Sequence, residues 1–359
     1  MKKNRDILGI ILVGVIVGIV AICLGIFGNP ANMALCIACF IRDTAGALGL
    51  HRAEVVQYIR PEIIGIVLGA FVVSLVKREY APKGGSAPLT RFVLGICVMV
   101  GALIFLGCPM RMVLRMAGGD LNAVIGFVGF VVGVLTGIFF LHKGFTLRRS
   151  YDQQPAEGAL FPAINALLFV LLIAAPTFVF FSQSGPGSLH APLLISLAAG
   201  LVIGVVAQRS RLCFIAGIRD AALLKQARML ICFVVILATV LIGNLATGKF
   251  KLSFAEQPIA HTEWLWNILG LYLVGFGSAL LGGCPLRQLV MAGGGNGDAG
   301  VTVLGYLVGA AICHNFGLAS SAAGTTLNGR IAFGVCVVVM FIVAITSSED
   351  FKGKGRISK

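Results

Sequence analysis

The sequence predicts an all-α polytopic membrane protein, an inverted repeat of two five-span halves with two short re-entrant helices in each. Three observations carry this prediction. The composition is 58% apolar and 12% charged, against about 45–50% and about 25% in ordinary soluble domains. Apolar runs long enough to cross a bilayer recur along the chain. A cysteine-bearing pattern also occurs twice, in the same order and at nearly the same spacing.

Composition excludes a soluble fold, with a mean hydropathy of +0.98. The net charge of +14 would raise the question of nucleic acid in a soluble protein. Here the basic residues fall in short connections between apolar runs, which is the positive-inside pattern. The expected partner is therefore the lipid bilayer, with no nucleic acid. Met1-Lys2-Lys3-Asn4-Arg5-Asp6 precedes an apolar run from Ile7 to Phe27. That run exceeds the usual signal-peptide core of about 7–15 residues and lacks a small-x-small cleavage site, so it reads as the first span.

Spans need roughly 20 apolar residues. The candidates are 7–27, 61–76, 92–107, 121–141, 160–181, 189–207, 229–247, 264–282, 298–316 and 330–346. With an even number of spans and a basic amino terminus inside, both termini are expected on the cytoplasmic side of the inner membrane. The basic tail, Lys352, Lys354, Arg356 and Lys359, fits this layout, as do Lys77, Arg78, Lys83, Arg91, Lys143, Arg148 and Arg149. Stretches 182–188 and 317–329, expected outside, contain no Lys or Arg.

The repeat aligns Ala34 to Asp43 with Arg211 to Asp220 without a gap, pairing Cys36 with Cys213. Gly107-Cys108-Pro109-Met110-Arg111, followed by Met116-Ala117-Gly118-Gly119, matches Gly283-Cys284-Pro285-Leu286-Arg287, followed by Met291-Ala292-Gly293-Gly294. Cys36 to Cys108 is 72 residues and Cys213 to Cys284 is 71. The halves, 1–188 and 189–359, each hold an odd number of spans. The second copy must then enter the membrane from the opposite side, an arrangement that puts a transport site at the repeat interface.

Each repeated segment is apolar but too short to span, which reads as a half-helix lining a cavity. Pro109 and Pro285 suit the first helical position, placing Cys108 and Cys284 at helix N-termini, where free N–H groups and the helix dipole favour anions. Arg111 and Arg287 add positive charge there. Their alternative role is pairing with Asp43, Asp120, Asp220 or Asp298, or with lipid headgroups. A neutral thiol is an easily desolvated weak donor suited to a polarizable sulfur or selenium atom; a thiol ionised by the same helix N-terminus suits sulfur exchange.

Cys23, Cys97, Cys232, Cys313 and Cys336 read as core filler. Cys36-Ile37-Ala38-Cys39 is a lone C-x-x-C, weak evidence for metal or redox work, and neither metal nor cofactor is expected. Gly14, Gly18, Gly65 and Gly69 read as helix-packing positions. His51, His142, His190 and His261 fall in connections, and His314 in a span; core or interface roles are expected for all five. No carboxylate stands in the middle of a candidate span, so the coupling ion is not legible.

At the paired Gly-Cys-Pro-x-Arg motifs with Ala-Gly-Gly downstream, and at the Leu-Cys and Ile-Arg-Asp segments, the sequence resembles the YeeE/YedE family of sulfur-transport membrane proteins. It is most similar to the YedE-type branch associated with selenium metabolism. The resemblance spans essentially the whole chain. It implies thiosulfate-like anions handed between Cys36, Cys108 and Cys284 through S–H contacts, with Cys213 added by the internal repeat. It also implies a soluble sulfur-carrier partner of the TusA type. The expected function is passage of a small sulfur- or selenium-containing anion (thiosulfate, selenite or selenosulfate class) by a transporter or channel, not an enzyme. The alternative is a membrane sulfur or selenium transferase with covalent persulfide-type intermediates on the cysteines.

Overall fold

The computed structural model describes residues 2–351, with side chains from 7 to 350; the basic tail beginning at Lys352 and the basic side chains before Ile7 lie outside it. The elements are α1 (Lys2–Ile26), α2 (Ile37–Ala47), α3 (Pro61–Val76), α4 (Pro88–Phe105), α5 (Pro109–Ala117), α6 (Leu121–His142), α7 (Pro155–Ala174), α8 (Gly185–Ser188), α9 (Leu193–Ser210), α10 (Phe214–Leu224), α11 (Arg228–Ala246), α12 (Trp264–Leu280), α13 (Pro285–Gly293), α14 (Gly297–Asn315) and α15 (Leu327–Thr346). A two-residue antiparallel strand pair joins Lys83–Gly84 to Tyr151–Asp152. The chain is an all-α polytopic membrane protein, with ten helical segments among the described residues long and apolar enough to cross a bilayer.

Outer helices turn apolar side chains away from the protein. On α7, Leu160, Ile164, Leu167 and Val170 are exposed, and on α15 so are Ile331, Val335, Val338 and Ile342. These three- and four-residue steps put each set on one helix face. In water such a face would be an association hazard; in a bilayer it is the lipid contact.

Besides the single turn of α8, four helices are too short to cross. α2 and α10 have 11 residues and α5 and α13 have 9, about 14–17 Å of rise against a hydrocarbon core of about 30 Å.

Outside α7, which packs on α3, and α15, which packs on α4, helix pairing follows an exchange rule. α4 packs on α14 as α12 packs on α6, α3 packs on α9 as α11 packs on α1, and α13 meets α3 as α5 meets α11. Connections follow the same rule: Lys83 bridges Asn296 beyond α13, and Ser253 bridges Asp120 beyond α5.

The close pairs depend on glycine. A Cβ on Gly65 would lie 2.5 Å from the Leu197 carbonyl oxygen, and one on Gly200 would lie 2.4 Å from that of Glu62, so the α3 and α9 backbones touch. A Cβ on Gly129 would sit 2.1 Å from the Ile268 carbonyl oxygen, and one on Gly275 would sit 2.4 Å from that of Phe130, fixing α6 against α12. The packing role expected of Gly14, Gly18, Gly65 and Gly69 holds, since a Cβ at any of them would come within 3.0 Å of a neighbouring helix. His142 is the last residue of α6 rather than part of a connection, because the helix runs on to a cap at Lys143.

Candidate functional site

Every cysteine of the repeat immediately precedes the first helical residue of a short helix: Cys36 before α2, Cys108 before α5, Cys213 before α10 and Cys284 before α13. Proline pointed to this placement only for Cys108 and Cys284. The chain reaches three of these starts through a backbone break, with Leu106 at φ 63 after α4, Arg211 at φ 57 after α9 and Gly282 at φ 78 after α12. Such a left-handed residue ends one helix, and the next begins three residues later.

The first thiol group is Cys36, Cys39 and Cys108, all almost wholly buried. Cys36 Sγ lies 4.0 Å from Cys108 Sγ and 2.8 Å from Cys39 Sγ, and it accepts a hydrogen bond from the Cys39 backbone N–H at 3.3 Å. The sequence marks Cys39 only as half of a lone C-x-x-C and not as a path residue, yet a stronger signal was present. A capping side chain reaches the N–H three residues on, so a thiol at that third position is carried beside the cap. Ala216 stands at the corresponding place in the second half, so the two thiol groups differ there.

The second group is Cys213 and Cys284, buried side chains that interact with each other. Cys213 lines a cavity of about 410 Å³ that also borders Arg211, Arg219, Asp220, Arg228 and Arg287. Four guanidinium groups and one carboxylate make this vestibule suited to anions. Near Ala34, the counterpart of Arg211, the cavity beside Asn32 and Lys249 is only about 60 Å³.

The two motif arginines stand in different states. Arg111 is fully buried; its Nε donates to the Asn32 carbonyl at 3.1 Å and its Nη2 to the Ile259 carbonyl at 2.9 Å, while Nη1 meets the Leu106 carbonyl and, at 3.5 Å, Cys39 Sγ. It thus ties the connections before α2 and before α12 together beside Cys39, and caps the carbonyl end of α4, where positive charge is favourable. Arg287 has no hydrogen-bond partner for its buried Nη1.

Pairing of either with an aspartate, the alternative weighed from sequence, is not what the structure has. Asp43 is held by Arg42 and Arg60, both at 2.7 Å, Asp120 by Arg115 at 2.6 Å and Asp220 by Arg219 at 2.9 Å, and Asp298 accepts from the Ser86 N–H at 3.0 Å. Neighbours closer in sequence or on the facing connection claim each carboxylate first.

Glu62 was also passed over, being the second residue of α3 rather than mid-span. It is fully buried; Oε1 accepts from Asn29 Nδ2 at 2.7 Å and Oε2 has no partner. Three of the histidines pack or bond inside the protein. His51 Nε2 meets the Arg42 carbonyl at 3.0 Å and stacks on His314 at 4.5 Å, and His261 Nε2 meets the Ile104 carbonyl at 2.8 Å.

Comparison with known proteins points the same way as this chemistry. Over 123 residues the chain is 29% identical to the thiosulfate transporter TsuA of Escherichia coli (strain K12), covering 34% of this chain and 34% of that protein. The chain thus spans about a third of the length of the curated relative it matches. Residues 209–347, which include Cys213, Cys284 and Arg287, match the family model described as sulphur transport.

Proposed function

We propose that this chain is a cytoplasmic-membrane transporter or channel of the YeeE/YedE sulfur-transport type, passing a small sulfur- or selenium-containing anion along Cys36, Cys108, Cys284 and Cys213. One observation carries the reading: four buried thiols sit at the N-termini of four half-length helices and meet two by two. Each helix end supplies N–H groups and a partial positive charge to an anion. Each thiol supplies a soft donor that gives up little hydration. Arg111 and Arg287 set the positive field, and the arginine-lined vestibule admits or releases the anion. The matches to a thiosulfate transporter and to a sulphur-transport model support the same class.

The architecture we infer is an inverted repeat of residues 1–188 and 189–359, with α2, α5, α10 and α13 as re-entrant helices. Support comes from the exchange rule among helix pairs and from the odd number of spans in each half. Cys36 and Cys108 then open outward, Cys213 and Cys284 open to the cytoplasm, and both termini are cytoplasmic. The substrate is of the thiosulfate, selenite or selenosulfate class, the YedE-type resemblance favouring selenium. A TusA-type carrier would receive the anion at the vestibule.

A second reading, a membrane sulfur or selenium transferase, draws on the 2.8 Å separation of Cys36 and Cys39 Sγ, since neighbouring thiols can resolve a persulfide. Uptake by sealed vesicles separates the two. Labelled thiosulfate or selenite recovered intact in the lumen supports passage; label held on Cys108 or Cys284 and released by a thiol reductant supports transfer. No accumulation of thiosulfate, sulfite, selenite or selenosulfate would remove the transport reading.

A further inference from the structure

Tyr306 stands nine residues from either end of α14, so about 14 Å of helix separates it from each end. Its side chain is 1% exposed, and its hydroxyl has no hydrogen-bond partner. α14 packs against α2, against α4 and against α13, the helices that begin at Cys36, end just before Cys108 and begin at Cys284. The phenol lies within electrostatic reach of Cys284, Cys213 and Cys108, thiols from both groups. A buried hydroxyl with nothing to bond is costly, and phenylalanine would fill the same space without that cost. An orphan donor midway along a span, between two thiol groups, points to a ligand that visits.

We propose that the Tyr306 hydroxyl is a hydrogen-bond donor to the anion at the midpoint of the path, between the thiols of Cys36 and Cys108 and those of Cys213 and Cys284. The inference rests on the transport reading and deepens it. Along the rest of the route the anion meets S–H groups and helix N-termini. At the crossing between halves it leaves one pair of helix ends before reaching the next, and a phenol supplies an O–H donor stronger than a thiol without adding charge. Its rigid ring also fixes the donor, which favours an oxyanion over a halide of similar size.

The experiment compares wild type, Tyr306→Phe and Cys284→Ala for thiosulfate uptake into vesicles, and for detergent melting temperature with and without thiosulfate. Tyr306→Phe is expected to lower uptake about tenfold or more, the worth of one good hydrogen bond. Its melting temperature without thiosulfate should stay level or rise, and the rise on adding thiosulfate should shrink. If Tyr306→Phe transports like wild type while Cys284→Ala does not, the tyrosine inference fails and the transport reading stands. If Tyr306→Phe loses stability along with uptake, the hydroxyl is structural and the inference fails. If Cys284→Ala transports normally, the thiol path fails, and the midpoint donor with it.

Discussion

Cys36 Sγ lies 4.0 Å from Cys108 Sγ, although the two residues are 72 apart in sequence and cap different helices. Cys97 and Cys336 are also buried, on the packed helices α4 and α15, but neither begins a helix. On the proposed reading, the helix end rather than the thiol alone distinguishes the path cysteines. Cys108→Ala and Cys284→Ala are each expected to abolish thiosulfate uptake, whereas Cys97→Ala and Cys336→Ala should keep it within a few-fold. Uptake measured at matched expression checks this, and equal tolerance of all four changes would reduce the motif cysteines to packing.

The unlike states of the motif arginines give them unlike substitution effects. Arg111→Gln loses hydrogen bonds from a charged group to the carbonyls of Asn32, Leu106 and Ile259, each worth about 1.5–3 kcal/mol, and should lower the melting temperature as well as uptake. Arg287→Gln gives up no such bonds and should spare the fold within about 1 kcal/mol while weakening uptake. Arg287→Lys should recover part of that uptake, since it restores the charge but not the planar fork. Melting in detergent beside uptake separates the two; a fold equally sensitive at both positions would contradict the assignment.

Much of the architecture was legible because bilayer thickness sets a length scale that apolar runs either meet or miss. The segments at Cys108 and Cys284 were recognisable as short helices because Pro109 and Pro285 mark a first turn. The fate of Arg111 was not legible. Its partners are backbone carbonyls at Asn32 and Ile259, and any residue type presents a carbonyl, so no pattern in the sequence points to them. Cys39 was legible only once Cys36 was known to be a cap. Tyr306 reads in sequence as one more aromatic residue in a span, and only burial without a partner distinguishes it.

Helix contacts through glycine give a stability prediction independent of transport. Gly129→Ala places a Cβ against the Ile268 carbonyl where α6 meets α12, and such overpacking should cost about 1–3 kcal/mol. Gly334→Ala on α15 has nothing within 4 Å of the new Cβ, and should be neutral or stabilising by up to about 1 kcal/mol. Denaturation in a fixed detergent checks the pair, and equal effects would argue against the contact.

Acid should destabilise the fold through its buried imidazoles. At His261 burial pushes the pKa down; the Ile104 carbonyl, Glu263 and Asp120 work against burial, and Arg115 adds to it. Burial likewise lowers His51, with the Arg42 carbonyl and Asp43 opposing it and the Arg42 charge adding to it. A histidine depressed in the folded state binds fewer protons there than in the unfolded chain, so stability rises with pH. It is fully present above the unfolded value of about 6.5 and is lost as pH falls below it. Each group contributes a slope of at most about 1.4 kcal/mol per pH unit. Melting temperature should fall between pH 7 and pH 5, and His261→Gln should flatten the fall; an unchanged slope in that variant would assign the acid sensitivity elsewhere.

The thiols should also differ in access. Cys213 borders the arginine-lined cavity of about 410 Å³, while Cys36 and Cys108 are almost wholly buried, in the thiol group whose Cys39 Arg111 contacts as it holds the connection at Ile259. In single-cysteine variants, an impermeant maleimide should reach Cys213 only from the cytoplasmic side, and thiosulfate should slow the reaction by occupying the vestibule. Cys36 and Cys108 should stay unreactive from outside until Arg111→Gln frees the connection, and should then label only from outside. Labelling of Cys213 and Cys108 from the same face would overturn the inverted layout. Rapid labelling of Cys108 with Arg111 intact would instead leave the layout standing and show that the connection does not seal the outer thiols.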